Sequence, residues 1–175
     1  MAGSIAAEQE LWVPFGPRCG SMTPSGMAWL RRSVSSEVGS LRDTLVVVWR
    51  RVSRTVADFN SSVLTPAAEH AAARRLRLYV HDDDALPSVR EQVRQFGRAA
   101  IILLSHGAAS LFLPIATAPA CVIEIHPTLP VNMHAAQQAA TLGHWYQGLH
   151  APAARPSQQE VRGALERCQQ LSKVR

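Results

Sequence analysis

Two short apolar runs constrain the fold of this chain more than any other feature. Residues 99–104 (AAIILL) are continuously apolar, and residues 121–125 (CVIEI) are rich in β-branched side chains. A run this short and this unbroken suits a strand buried on both faces of a parallel sheet rather than a half-exposed strand. Each run ends in polar residues, the first at Ser105-His106-Gly107 and the second at His126-Pro127, with Glu124 inside it. Open α/β sheets bind ligands in the crevice beyond the carboxyl ends of their strands. His106, Gly107 and Glu124 are therefore expected to converge on one crevice, where Gly107 lets a ligand approach the backbone closely.

The flanking sequence supplies elements that fit such a sheet. Residues 44–49 read as another buried strand, leaving through Arg50-Arg51-Val52-Ser53-Arg54. Helices are predicted over 27–40 and 65–75, the second with Thr65 as its cap and Pro66 in its first turn. A weaker strand is predicted over 76–80 and a helix over 88–97. A short helix is expected within 130–143, and residues 141–150 gather His144, Trp145, Tyr146 and His150. Ser157 and Glu160 form a capping box for a terminal helix over 157–172. Strands alternating with helices predict an α/β fold, a Rossmann-like parallel sheet of about four strands flanked by helices. Its organisation reads as a loop-rich lead segment over 1–26, with at most a short strand at 11–15, a Rossmann-like domain over 27–151, and a linker with a terminal helix over 152–175.

Composition narrows the function classes. Hydrophobic residues make up 47% and charged residues 18%, a globular balance. The net charge of +5 does not point to nucleic acid. Lys173 is the single lysine, the arginines are spread from Arg18 to Arg175, and no aromatic-studded basic patch accompanies them. No run approaches the roughly 18 apolar residues of a membrane span, and no secretory signal pattern opens the sequence. Cys19, Cys121 and Cys168 lie far apart in no metal-ligand spacing, and Cys121 reads as a small core residue.

Arginines near a crevice favour a phosphate-bearing ligand, which fits Arg50, Arg51 and Arg54; the alternative is a solvated surface turn. Glu124 is costly to bury alone, so it is expected to face the crevice or pair with an arginine. Asp82, Asp83 and Asp84 read as a solvated helix cap rather than a metal site. His126, His134, His144 and His150, at spacings of 8, 10 and 6, match no compact ligand pattern. Ser105 and His106, adjacent on a strand, point to opposite faces and cannot act as nucleophile and base together. Trp145 and Tyr146 read as core packing, the alternative being stacking on a base or sugar. No metal is expected.

The order of motifs resembles one family. His106-Gly107-Ala108 closing a buried strand, then Leu111-Phe112-Leu113-Pro114, then Val122-Ile123-Glu124-Ile125 and Pro127, with residues 46–50, Arg54 and the 58–60 segment upstream, resemble the carboxyl-terminal half of the family 61 glycosyltransferases. The resemblance covers about residues 45–150. It implies the donor-binding half of a GT-B enzyme that transfers a hexose or pentose, with inversion, from a UDP-sugar to a glycan or glycoprotein acceptor. It implies no cofactor besides the donor, a Golgi or endoplasmic reticulum location, and a general base in the other half, so that no catalytic residue is assigned here. Arg50, Arg54 and His106 would neutralise the leaving diphosphate, with Gly107 and Glu124 also at the donor. The alternative expectation is a non-catalytic nucleotide-binding or interaction module derived from such an enzyme.

Overall fold

The computed structural model describes residues 23–38, 40–51, 55–126, 133–151 and 155–172. Five strands, β1 (Thr44–Trp49), β2 (Arg77–Asp82), β3 (Ala99–Ser105), β4 (Cys121–His126) and β5 (Trp145–His150), form one parallel sheet in the order β2-β1-β3-β4-β5. Helices α1 (Pro24–Ser33), α2 (Thr65–Arg74), α3 (Val89–Gly97), α4 (His134–Leu142) and α5 (Gln158–Ser172) flank it. The expected α/β, Rossmann-like sheet is therefore present. It has one strand more than the sequence suggested, because β5 is an edge strand. With solvent on one side, Trp145-Tyr146-Gln147-Gly148-Leu149-His150 needs no continuous apolar run, and only Leu149 in it is fully buried.

The pleat sorts the central strands onto two cores. Leu45, Val47, Ile101, Leu103, Ile123 and Ile125 meet α2 and α5 through Ala67, Ala71, Val161 and Leu165. On the other face Val46, Val48, Ile102, Leu104 and Val122 meet Phe96 of α3, Leu113, and Ala135 and Ala139 of α4. Each such Leu, Ile or Val, fully buried, contributes about 1.5–3 kcal/mol, which is why the three inner strands need no polar alternation.

Local signals set most of the helix ends. Ser88 Oγ accepts from Glu91 N at 3.3 Å to start α3. The Ser157–Glu160 box closes at 3.2 Å and 2.7 Å ahead of α5. Gly143 ends α4 at φ 74°, a left-handed position that suits glycine. Two expectations are corrected. Thr65 is not a cap: a π-helical turn, Asn60–Leu64, runs directly into α2, and the Thr65 hydroxyl donates to the Asn60 carbonyl at 2.9 Å. The first helix starts earlier and ends sooner than 27–40, because Thr23 caps it from upstream, accepting from Gly26 N at 3.1 Å with Pro24 in the first turn. The suggested strand at 11–15, most of the lead segment, Cys19 and Arg54 lie outside the described residues.

Cys121 is buried as expected, but it is not a simple core residue. It forms a disulfide with Cys168, Cα–Cα 5.6 Å and 47 residues apart, tying the start of β4 to α5. Nothing in the sequence distinguishes this pairing from the two others that three cysteines allow.

His144, before β5, is a structural histidine. Ala120 N–H donates to its Nδ1 at 3.0 Å and its Nε2–H donates to the Leu113 carbonyl at 3.1 Å, which fixes a neutral tautomer. Burial holds its pKa below the ordinary histidine value, as it does for His70, His81 and His126. A folded-state pKa below the unfolded one means that the unfolded chain takes up the proton first. Stability is then full above about pH 6.5 and declines as pH falls through that value. Thermal melts between pH 7.5 and 5 should show this decline, and His144→Gln should flatten it while lowering stability at pH 7.5; an unchanged slope would rule out His144 as a contributor.

Candidate functional site

The carboxyl ends of β3 and β4 and the adjacent edge strand β5, through Tyr146 near its start, bring four polar side chains together. Val122, Glu124 and His126 alternate along β4 and so share one face of the sheet. Glu124 sits in register between Leu104 of β3 and Gly148 of β5. Gly148 carries no side chain, and the space beside it is taken by the His126 ring and the Tyr146 hydroxyl, each 3.5 Å from where a Cβ would stand. His106, just past β3, is anchored by its backbone N–H on the Ile125 carbonyl at 3.1 Å. Gly107 has φ 153° and ψ −159°, a conformation essentially closed to other residues, and it turns the chain from β3 into the 3-10 helix Ala108–Ile115.

Glu124 is wholly buried, with 0% exposure, and it is the hub of a hydrogen-bond network. His106 Nδ1–H donates to Glu124 Oε1 at 2.7 Å. Tyr146 O–H donates to Oε2 at 2.7 Å. His126 Nε2 lies 2.8 Å from the Tyr146 hydroxyl and 3.2 Å from Glu124 Oε2. Burial, reinforced by Glu124, pushes the Tyr146 pKa far up. The tyrosine therefore keeps its proton and directs it at Glu124, which makes His126 Nε2–H the donor to the tyrosine oxygen. Burial lowers the His126 pKa, outweighing the pull of Glu124. The His106 and His126 rings lie 5.7 Å apart, and the His106 side chain is 20% exposed, the opening of the cluster towards solvent.

Of the residues singled out from sequence, His106, Gly107 and Glu124 meet as expected. Arg50 follows β1 at the same end of the sheet. Glu124 does not pair with an arginine; histidine and tyrosine surround it instead. Asp82, Asp83 and Asp84 do not cap α3, which Ser88 does. They hold Arg51, whose guanidinium donates to both Asp82 carboxylate oxygens at 2.6–3.0 Å and whose backbone N–H donates to Asp83 Oδ1 at 2.8 Å. His126 belongs with His106 and Glu124 rather than with His134, His144 and His150. The signal was available, because a residue two positions after Glu124 on one strand shares its face. Tyr146 became visible only once β5 was known to be a strand.

The strand order decides the fold family. It is flavodoxin-like. A solved structure, a mutant flavo di-iron protein from Thermotoga maritima, matches with a TM-score of 0.57 at 10% identity, over 79% of this chain and 38% of that one. At that identity the likeness shows the fold alone. No family model matches the sequence, and no curated protein matches it. The expected function is corrected here: the matched structure is a flavo di-iron protein of flavodoxin-like fold and not a glycosyltransferase, so sugar transfer from a UDP-sugar no longer stands as the function. No described helix is long and apolar enough to cross a membrane.

Proposed function

We propose that the chain binds a divalent transition-metal ion at the carboxyl end of its sheet, through His106, Glu124 and His126. One observation carries this reading: one nitrogen from each imidazole and one oxygen of the buried carboxylate lie within 4.8 Å of one another. Metal–ligand bonds of about 2.0–2.2 Å at tetrahedral angles place two donors on one ion about 3.3–3.6 Å apart. Sub-ångström side-chain shifts therefore close the cluster on an ion. Two imidazoles and a carboxylate suit zinc, iron(II), manganese(II) or cobalt(II) better than calcium or magnesium, which prefer all-oxygen sets. Three protein ligands leave coordination positions open on the exposed His106 side, the pattern of catalytic rather than structural sites. An ion held there would act as a Lewis acid on a bound water or ligand oxygen.

The chain's own residues supply the rest. Tyr146 donates to Glu124 Oε2 and holds the carboxylate in orientation, as outer-shell partners do. The sheet excludes water behind Glu124, since every residue of β4 is buried. Flavodoxin, which has this strand order, binds flavin mononucleotide at its β1–β3 switch point. Among the described residues there, Trp49 stacks on Phe59 at 4.9 Å, and Arg51 lies 3.8 Å from its ring centre while engaged by Asp82. These groups engage one another, and the metal assignment does not draw on them. Neither the flavin nor the iron of the neighbour's name enters the assignment.

Titration of the chelator-stripped protein with zinc and with cobalt(II), followed by calorimetry and by cobalt d–d absorption, tests the reading. One equivalent should bind, with protons released. His126→Ala or His106→Ala should weaken binding by at least about 100-fold, and Tyr146→Phe by about 10–100-fold. Folded wild-type protein that takes up no ion, or takes it up equally well in the histidine variants, would leave the cluster as a buried hydrogen-bond network only.

A further inference from the structure

The opposite end of the sheet carries a cavity that the metal reading does not use. It has a volume of about 220 Å³ and lies between the amino ends of β3, β4 and β5 and the carboxyl ends of α2 and α5. Its walls are mainly apolar, formed by Leu76, Ile101, Trp145 and the Cys121–Cys168 disulfide, with His70 and Gln169 at its polar edge. Its cationic groups are Arg42 and Arg74, and no acidic residue lines it. Arg42 donates to the Pro119 carbonyl, which fixes its guanidinium at the cavity while leaving further N–H groups on the fork. Arg74, in the last turn of α2, is exposed.

From this arrangement we infer a binding site for a small apolar monoanion, an aryl or branched-chain carboxylate whose hydrocarbon part enters the cavity while its carboxylate meets the two guanidinium groups. The electrostatics decide the sign of the ligand. Two helix carboxyl ends contribute together about one negative elementary charge, whereas the two arginines contribute two positive charges in groups that match a carboxylate bidentately. Glu69 is taken by Arg162, and Glu166, which stands with His70 and Arg74 around a neighbouring pocket, does not line this cavity. The size fits the hydrocarbon part of a one- or two-ring acid.

The test compares 1-naphthoate with 1-naphthalenemethanol, which has the same rings and no charge, by calorimetric titration of the full chain at low salt. Naphthoate should bind saturably and at least 10-fold more tightly than the alcohol. Arg74→Gln and the Arg42→Gln/Arg74→Gln pair should erase most of that advantage while leaving the alcohol's affinity unchanged; the alcohol thus reports that the cavity is intact in each variant. Equal affinity for the two probes would overturn the inference. So would a carboxylate preference that survives both arginine substitutions, or the absence of saturable naphthoate binding by folded protein.

Discussion

Glu124→Ala should destabilise the fold by about 3–5 kcal/mol, among the largest effects of any single substitution in this chain. The carboxylate is wholly buried and accepts from His106 Nδ1–H and Tyr146 O–H, with His126 Nε2 at 3.2 Å. Removing it leaves these donors without their buried acceptor and opens a void on the sheet face that Glu124 shares with Val122 and His126, and the two penalties act in the same direction. Glu124→Gln keeps the volume and one acceptor oxygen but turns an amide NH2 towards groups that are themselves donors. Its cost should be smaller, about 1–3 kcal/mol. Urea denaturation of the three proteins with a common m-value measures the ranking. A Glu124→Ala protein within about 1 kcal/mol of wild type would show that the network contributes little to the fold.

The second large effect lies at the disulfide. Cys121 and Cys168 close a loop of 47 residues, and the chain-entropy model assigns such a link about 4 kcal/mol of stabilisation through the unfolded state. Both sulfurs are buried between β4 and α5, with 3% and 1% exposure of their residues, so Cys121→Ala/Cys168→Ala also forfeits some packing. Denaturation of the oxidised protein, the reduced protein and the double variant separates the two contributions. Reduction alone should account for most of the loss; a reduced protein as stable as the oxidised one would mean that the link does not constrain the unfolded chain. Because α5 contributes Val161, Ala164 and Leu165 to the same core as Ile123 and Ile125, the loss should lower the whole transition rather than release the terminal helix alone.

The parts of this structure that were legible in the sequence are those governed by short-range or one-dimensional rules. The strands β1, β3 and β4 show as unbroken apolar runs because both of their faces are buried. Ser157 with Glu160 marks the start of the terminal helix because capping is local chemistry. The meeting of His106 with Glu124 followed from the rule that polar residues at strand carboxyl ends share a crevice. The remainder depended on long-range partners. Strand β5 lacks an apolar run because one of its edges is open, and without β5 the hydroxyl of Tyr146 could not be placed on Glu124. Thr65 looked like a cap because Asn60–Leu64 gave no sign of being helical. The cysteine pairing joins residues whose proximity is set by the fold. Function was the least legible: a motif order resembling one family did not carry that family's chemistry onto a flavodoxin-like sheet, which is the expected weakness of inference from fold or motif to activity.

The same disulfide also fixes what becomes of the chain if its backbone is cut. Any peptide bond between Cys121 and Cys168 lies inside a covalent ring that includes α4, β5 and most of α5. A protease that severs one bond there opens the ring without releasing a fragment. The two polypeptides remain one molecule under non-reducing conditions, with Tyr146 on its edge strand still tethered to the strand that carries Glu124 and His126.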